Sequence, residues 1–189
     1  MKKILIIGNA CGGKTTLSRI LRKSLHIPLY HIDSFQFLAG WKQRTNEECK
    51  SILIKLIDAD DWIIEGFGNR DIVGLLLKAA DTVIFIDYPV RVHFWRAIKR
   101  QVMSRRGGRQ ELPENCPEFT FNYTIRLFKT IWKGHTKFRP WICMNIMILP
   151  MEKHLVHIKS PKSWQIFVQD YCRTCQAGQK FWERVSMFE

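Results

Sequence analysis

Apolar residues recur along this chain in two rhythms, short unbroken runs and longer stretches at helical spacing, and the two alternate. Lys3 to Ile7 is an almost wholly apolar run, as expected of a strand covered on both faces. The stretch from Lys14 to Leu25 then places Leu17, Ile20, Leu21 and Leu25 on one helical face. Leu29 to Ile32 reads as a second strand closing at Asp33, with a loop expected from Ser34 to Trp41. Thr45-Asn46-Glu47-Glu48 has capping-box spacing, and Cys49, Ile52, Leu53 and Leu56 give the helix that follows one apolar face. Trp62-Ile63-Ile64 is a third strand ending at Glu65-Gly66, Asn69 or Asp71 caps a short helix to about Ala80, and Thr82 to Ile86 is a fourth strand ending at Asp87. Strand-then-helix units in alternation imply an α/β fold with an open parallel sheet and right-handed crossovers. Such sheets bind ligands at the carboxyl ends of their strands.

From Pro89 the alternation is interrupted. A helix to about Ser104 offers Val92, Trp95, Ile98 and Val102 as a core stripe, with Arg96 and Arg100 together on another face. Arg105-Arg106-Gly107-Gly108-Arg109 is a basic loop and Pro113 to Pro117 further loop. A helix from about Phe119 to Lys133 carries Phe121, Ile125, Phe128 and Trp132, and Gly134 is expected to stop it. After a helix from Pro140 to Met147, His154 to Ile158 reads as the fifth strand. Ser160-Pro161 opens a last helix that buries Trp164, Phe167, Val168 and Tyr171. One domain over residues 1–171 is expected, with a basic helical insertion at about 89–153 and a tail of no discernible period over 172–189.

Between the first strand and first helix stands Gly8-Asn9-Ala10-Cys11-Gly12-Gly13-Lys14-Thr15, which meets every fixed position of the phosphate-binding loop G-x-x-x-x-G-K-[ST]. Backbone N–H groups must curl around a phosphate here, and side chains would block the approach. Lys14 neutralises the β- and γ-oxygens, the Thr15 hydroxyl ligates Mg²⁺, and the N-terminus of the helix through Thr16 adds its positive end. ATP and Mg²⁺ are the expected cofactors. Cys11 receives no role of its own beyond its place in the loop.

Composition narrows the setting. A chain of 189 residues, 46% hydrophobic with seven Trp, describes a globular protein rather than a disordered one. The apolar N-terminal run stops after four residues, and no run approaches a membrane span, so a reducing cytoplasm with free thiols is the expectation. Cys172-Arg173-Thr174-Cys175 has no second ligand pair and reads as two plain thiols. The net charge of +13 is concentrated: residues 89–140 hold twelve Lys and Arg against three Glu, a balance of +9. A positive field of that density implies an anionic partner, either nucleotide phosphates or a nucleic acid.

Lys14, Asp33, Glu65 and Asp87 all fall on the phosphate-loop edge of the expected sheet. With the G-x-x-x-x-G-K-T loop, these residues join His31-Ile32-Asp33 and the later Gly40-Trp41, Trp62-Ile63-Ile64-Glu65-Gly66, Asp81 to Pro89, and Trp95-Arg96 leading to Lys99-Arg100. In that combination the chain resembles small P-loop kinases of the adenylate-kinase type, and most closely FlaR-like proteins, often labelled DNA topology modulation proteins, over roughly residues 1 to 170. The resemblance implies a P-loop NTPase three-layer sandwich, a five-stranded parallel sheet of order 2-3-1-4-5 and a helical lid-like insertion. In that order Glu65 stands one strand from the phosphate loop and Asp33 two strands, on the order of 10 Å away.

The same resemblance implies roles. Asp33 would bind or deprotonate an acceptor hydroxyl, its alternative being a cap of the following loop. Glu65, where relatives usually carry Asp, would hold Mg²⁺ through water, and Asp87 reads as an N-cap rather than a catalyst. Arg96 and Arg100 would clamp the triphosphate, with Arg105, Arg106 and Arg109 as lid arginines by type. Arg70 corresponds to an arginine that holds an acceptor phosphate, Trp41 and Phe35 are candidates to stack on an acceptor ring, and Arg44 is a further acceptor-side candidate. Lys162, after the fifth strand, lies where the loop around a donor adenine is expected. The leading expectation is an ATP- and Mg²⁺-dependent phosphotransferase acting on a nucleotide, nucleoside or other small hydroxyl compound. The alternative is an ATP-switched nucleic-acid-associated protein, in which Trp95, Phe119, Phe121, Tyr123, Phe128 and Trp132 supply stacking surfaces.

Overall fold

A computed structural model of the chain describes residues 2–103, 120–150 and 152–176. Arg105, Arg106, Arg109, the loop from Pro113 to Pro117, Phe119 and the tail from residue 177 lie outside the described residues.

The strands are β1 (Lys3–Gly8), β2 (Leu29–His31), β3 (Phe37–Leu38), β4 (Lys42–Gln43), β5 (Trp62–Gly66), β6 (Thr82–Ile86) and β7 (His154–Ile158). Five of them form one parallel sheet in the order β2-β5-β1-β6-β7. Setting aside the antiparallel hairpin β3–β4, this is the expected order 2-3-1-4-5. The helices are α1 (Lys14–Leu25), α2 (Ile32–Gln36), α3 (Asn46–Ile57), α4 (Arg70–Ala79), α5 (Val90–Met103), α6 (Phe121–Lys133), α7 (Arg139–Met147) and α8 (Pro161–Gln176).

Alternation along β1 explains its unbroken apolar run. Leu5 and Ile7 pack on one face with Leu53 of α3 and Leu76 of α4, while Ile4 and Ile6 pack on the other with Leu17 and Leu21 of α1 and Tyr171 of α8. All four strand residues are fully buried. The predicted ends of α1 hold, and α3 starts where expected, the Thr45–Glu48 capping box forming with both reciprocal bonds. Asn69, not Asp71, caps α4 by accepting from the Ile72 N–H at 2.9 Å. Lys153 fastens the other end of α4, its ammonium donating to the carbonyls of Leu77, Lys78 and Ala80.

Several expectations are corrected. The stretch from Ser34 to Trp41 is not plain loop: it contains the end of α2, β3 and a turn into β4. Phe35 lies in the core, 8% exposed. On α5, Trp95, Ile98 and Val102 face outward, whereas His93 and Ala97 are buried. On α6, Phe121, Ile125 and Trp132 face outward, and Tyr123, Leu127 and Ile131 make the buried stripe. Gly134 does not stop α6: the chain runs through a π-helical turn (Gly134–Phe138) directly into α7. α8 continues past Cys172 to Gln176. Asp87 is no N-cap, because its carboxylate binds Arg139 at 2.6 and 3.0 Å and His157 at 3.0 Å, tying β6 to α7 and β7.

Candidate functional site

The carboxyl ends of β1, β2 and β5 open into one cavity of about 1290 Å³. Its floor is the loop from Ala10 to Thr16. Gly13 precedes α1 with φ 93°, a left-handed conformation that a side chain would strain, and a Cβ there would approach the Arg96 guanidinium at 3.4 Å. Cys11 takes the left-handed region as well, with φ 58°. Gly8 ends β1 and Asn9 begins the loop, its Oδ1 accepting from the Ala10 N–H at 2.8 Å.

Three residues of the helical insertion hold this loop. His93 is buried and donates from Nδ1 to the Ala10 carbonyl at 2.7 Å. Burial, followed by the nearby Lys14 and Arg96 charges, outweighs that hydrogen bond and lowers its pKa to about 4, so it is neutral at pH 7. Arg96 donates to the Gly12 carbonyl at 2.8 Å with its guanidinium 4.9 Å from the centre of the Tyr88 ring. Ile131 accepts from Asn9 Nδ2 at 2.8 Å. Arg100, one turn beyond Arg96, donates to the Tyr123 hydroxyl at 2.8 Å and lies 4.0 Å from Cys11 Sγ.

At the loop's end Lys14 is buried and its ammonium donates to the Asn9 carbonyl at 3.0 Å. Thr15 Oγ1 donates to Glu65 Oε1 at 2.9 Å, and His31 Nδ1 donates to the same oxygen at 2.7 Å. Strand register brings these about, since His31 on β2 pairs with Glu65 on β5, and Ile6 on β1 pairs with Glu65 from the other side. Glu65 is 5% exposed. Burial opposes its charge, but the His31 bond, the Lys14 ammonium and the Thr15 hydroxyl together hold its carboxyl below the ordinary value.

Hydroxyl and carboxylate oxygens side by side are the donor set Mg²⁺ takes, and a glycine loop with a lysine and two arginines behind it suits a triphosphate. The residues present therefore fit both groups. Among the described residues, no cluster of three or more His, Cys, Asp and Glu side chains forms a protein-only metal site.

The acceptor-side expectations divide. Asp33, on α2, lines the same cavity, as do Trp41 and Arg70. Trp41 is stacked on Tyr123 of α6, ring centres 5.2 Å apart, with Phe37 edge-on at 5.3 Å. Arg70 donates to the Lys137 carbonyl at 3.3 Å. Arg44 is not among the cavity residues: its backbone N–H bonds to the Gln36 carbonyl and its charge acts on Glu48 and Cys49. Lys162 is exposed on the first turn of α8 and does not line the cavity; Trp164 of that helix instead approaches Gly13.

Sequence reasoning passed over Arg126, Lys133 and Lys137, which line the cavity from α6 and the π turn. The available signal was their spacing: with Thr130 they recur at i, i+4, i+7 and i+11, a polar stripe facing away from the apolar one. It also passed over His93, which no motif position marks, and named His31 only within His31-Ile32-Asp33, without a role.

The sheet order, the phosphate loop at the end of β1 and the helices on both faces define the fold of small P-loop kinases. Shikimate kinase from Acinetobacter baumannii in complex with shikimate shares this fold, with TM-score 0.57 at 14% identity over 94% of each chain. Shikimate kinase from Bacteroides thetaiotaomicron does too, with TM-score 0.56 at 14% identity over 92% of this chain and 97% of that one. No protein-family model matches the chain, and none of the curated proteins does either. Among the described residues no helix is long and apolar enough to cross a membrane.

Proposed function

We propose that the protein is an ATP- and Mg²⁺-dependent phosphotransferase that acts on a small hydroxyl compound. One observation carries the reading: Lys14, Thr15, Glu65 and Asp33 line a single cavity large enough for a nucleotide and a second small molecule, with Glu65 held by Thr15 and His31. The kinase neighbours lend support at the level of fold.

In this reading the acceptor hydroxyl oxygen forms a bond to the γ-phosphorus, the bond to the β–γ bridging oxygen breaks, and ADP leaves with that electron pair. Asp33 takes the hydroxyl proton. Lys14, Arg96 and Arg100 neutralise charge on the transferring group, which is most of what phosphoryl transfer asks of a protein. Lys14 is released from the Asn9 carbonyl to do so. Thr15 and, through water, Glu65 would hold Mg²⁺, whose chemistry is to offset charge on the β- and γ-oxygens. The Thr15 hydroxyl hydrogen points to Glu65, so the oxygen keeps its lone pairs for the cation.

The test is a panel of nucleosides, nucleoside monophosphates and hydroxy metabolites offered with ATP, comparing the protein with Asp33→Asn. Product formation that falls about 100-fold or more in the variant supports Asp33 as the base. An unchanged rate removes it from that role.

A second reading has its own observation. Trp95, Ile98 and Val102 on α5, and Phe121, Ile125 and Trp132 on α6, are exposed on either side of the Phe94–Phe128 contact that joins the two helices. Exposed Arg91, Lys99 and Lys129 lie among them. Aromatic rings interleaved with cations suit single-stranded nucleic acid, which accords with the FlaR-like resemblance and would make ATP a switch. Binding that weakens steeply with salt and is lost in Trp95→Ser with Phe121→Ser would support it; salt-insensitive or absent binding would remove it.

A further inference from the structure

Two arginines stand on successive turns of α5 beside the phosphate loop, and they are held by different means. Arg96 is fastened to the loop itself through the Gly12 carbonyl, with its guanidinium over the Tyr88 ring. Arg100 lies 4.0 Å from Cys11 Sγ and reaches across to α6, where its Nη2 donates to the Tyr123 hydroxyl at 2.8 Å. An arginine side chain keeps many rotamers until something fixes it, and a charge that must search for a phosphoryl group stabilises transfer less than one already in place.

A phenol oxygen suits that task. It is neutral, so the field of the guanidinium stays undiminished, whereas a carboxylate in its place would offset the charge. It also accepts one of five N–H groups, which leaves a guanidinium able to grip phosphate oxygens as well.

Tyr123 is itself closely held. It is 9% exposed, in a small core formed with Ala97 of α5 and Leu127 and Ile131 of α6, and Ala10 and Cys11 of the phosphate loop pack against that core. Trp41 stacks on the Tyr123 ring with centres 5.2 Å apart, and the Arg126 guanidinium carbon lies 4.5 Å from the centre of Trp41 and 5.8 Å from that of Tyr123. Trp41 adopts φ 63°, a left-handed conformation uncommon for a bulky residue, and this strained turn sets its ring against α6. The hydroxyl that Arg100 uses therefore sits on a ring whose place is fixed by the loop, the hairpin and both helices of the insertion.

We propose that Tyr123 is a positioning residue for phosphoryl transfer: its hydroxyl holds the Arg100 guanidinium at the phosphate loop, in place for the triphosphate. The proposal rests on the phosphotransferase reading and adds to it a residue that acts through Arg100 rather than on the reacting atoms.

A bond that only tied α5 to α6 would alter unfolding and leave nucleotide affinity unchanged, so the test is a double-mutant cycle read in affinity. Tyr123→Phe removes one oxygen and keeps the ring and its packing; Arg100→Met keeps the length of the side chain and removes its donors. The parent, both variants and the double variant are titrated by calorimetry with a non-hydrolysable ATP analogue and Mg²⁺. Tyr123→Phe is expected to weaken binding roughly 10-fold, as for a hydrogen bond to a charged group, and the double variant to stay within about 2-fold of Arg100→Met alone. Parental affinity in Tyr123→Phe, or two losses that multiply in the double variant, overturns the proposal whether or not the protein turns over. The same cycle is then read in kcat with ATP and the acceptor that takes label. A fall of about 10-fold in Tyr123→Phe that vanishes in the Arg100→Met background, with KM for the acceptor unchanged, is expected. An equal fall in both backgrounds overturns the proposal and leaves the phosphotransferase reading standing. Coupled losses of affinity without transfer to any acceptor would instead overturn that reading and leave the hold of Tyr123 on Arg100 standing.

Discussion

A Cβ built on Gly134 would lie 2.5 Å from Asn9 Oδ1, so the phosphate loop and the π turn meet without room for a methyl group. Asn9 Nδ2 donates to the Ile131 carbonyl in the same contact. Gly134→Ala must therefore displace Asn9 or the turn, at a cost of roughly 1–3 kcal/mol. Part of that cost falls on the loop, and affinity for a non-hydrolysable ATP analogue is expected to drop about 10-fold, measured by calorimetry. Unchanged affinity would mean that the loop holds its shape independently of the insertion.

His93 predicts an acid sensitivity. Its pKa in the folded protein, about 4, is depressed below the ordinary 6.5, so the fold favours the neutral ring. That contribution is fully present above pH 6.5 and is lost as pH falls from there toward about 4, because the unfolded chain takes up the proton first. The loss amounts to roughly 3 kcal/mol. Denaturant titrations across this range should show the decline in the parent and a flatter profile in His93→Gln, which retains a donor for the Ala10 carbonyl. Parallel profiles would rule His93 out as the origin.

The two faces of α6 should respond oppositely to substitution. Leu127→Ala or Ile131→Ala empties buried volume and is expected to cost about 2–5 kcal/mol. Phe121→Ser, at a residue 80% exposed, should change stability by less than about 0.5 kcal/mol. Thermal or urea unfolding distinguishes the cases, and a large loss at Phe121 would contradict the orientation of the helix.

Glu65→Gln keeps the side-chain shape and removes the charge that His31, Lys14 and Thr15 hold in place. Under the phosphotransferase reading it should raise the Mg²⁺ concentration needed for half-maximal rate by about 10-fold or more, with KM for the acceptor little changed. A shift confined to the acceptor KM would move Glu65 out of the metal's surroundings.

Much of the sheet was legible because burial on both faces writes itself as unbroken apolar runs, as at Ile4 to Ile7 and Thr82 to Ile86. Capping chemistry marked α3 through Thr45 and Glu48, and the loop from Gly8 to Thr15 announced the phosphate site. The insertion was misread for a physical reason. α5 and α6 carry apolar residues on two sides, so Phe121-Ile125-Trp132 and Tyr123-Leu127-Ile131 both satisfy helical spacing, and only tertiary packing decides which stripe is buried. The hairpin Phe37 to Gln43 is built from two-residue strands too short to show a period. Asp87 looked like a cap because its partners Arg139 and His157 are 52 and 70 residues away. Arg126 owes its place to rings from the hairpin and its own helix, a relation that no local motif encodes.

The central claim is that the cavity above the phosphate loop transfers a phosphoryl group. Its most direct measurement follows label from γ-labelled ATP with Mg²⁺ in the protein and in Lys14→Ala, separating acceptor-bound label from free phosphate. The account predicts label on an acceptor in the parent and a rate lower by about 100-fold or more in the variant. Label appearing only as free phosphate with every acceptor, or transfer undiminished in Lys14→Ala, would contradict it.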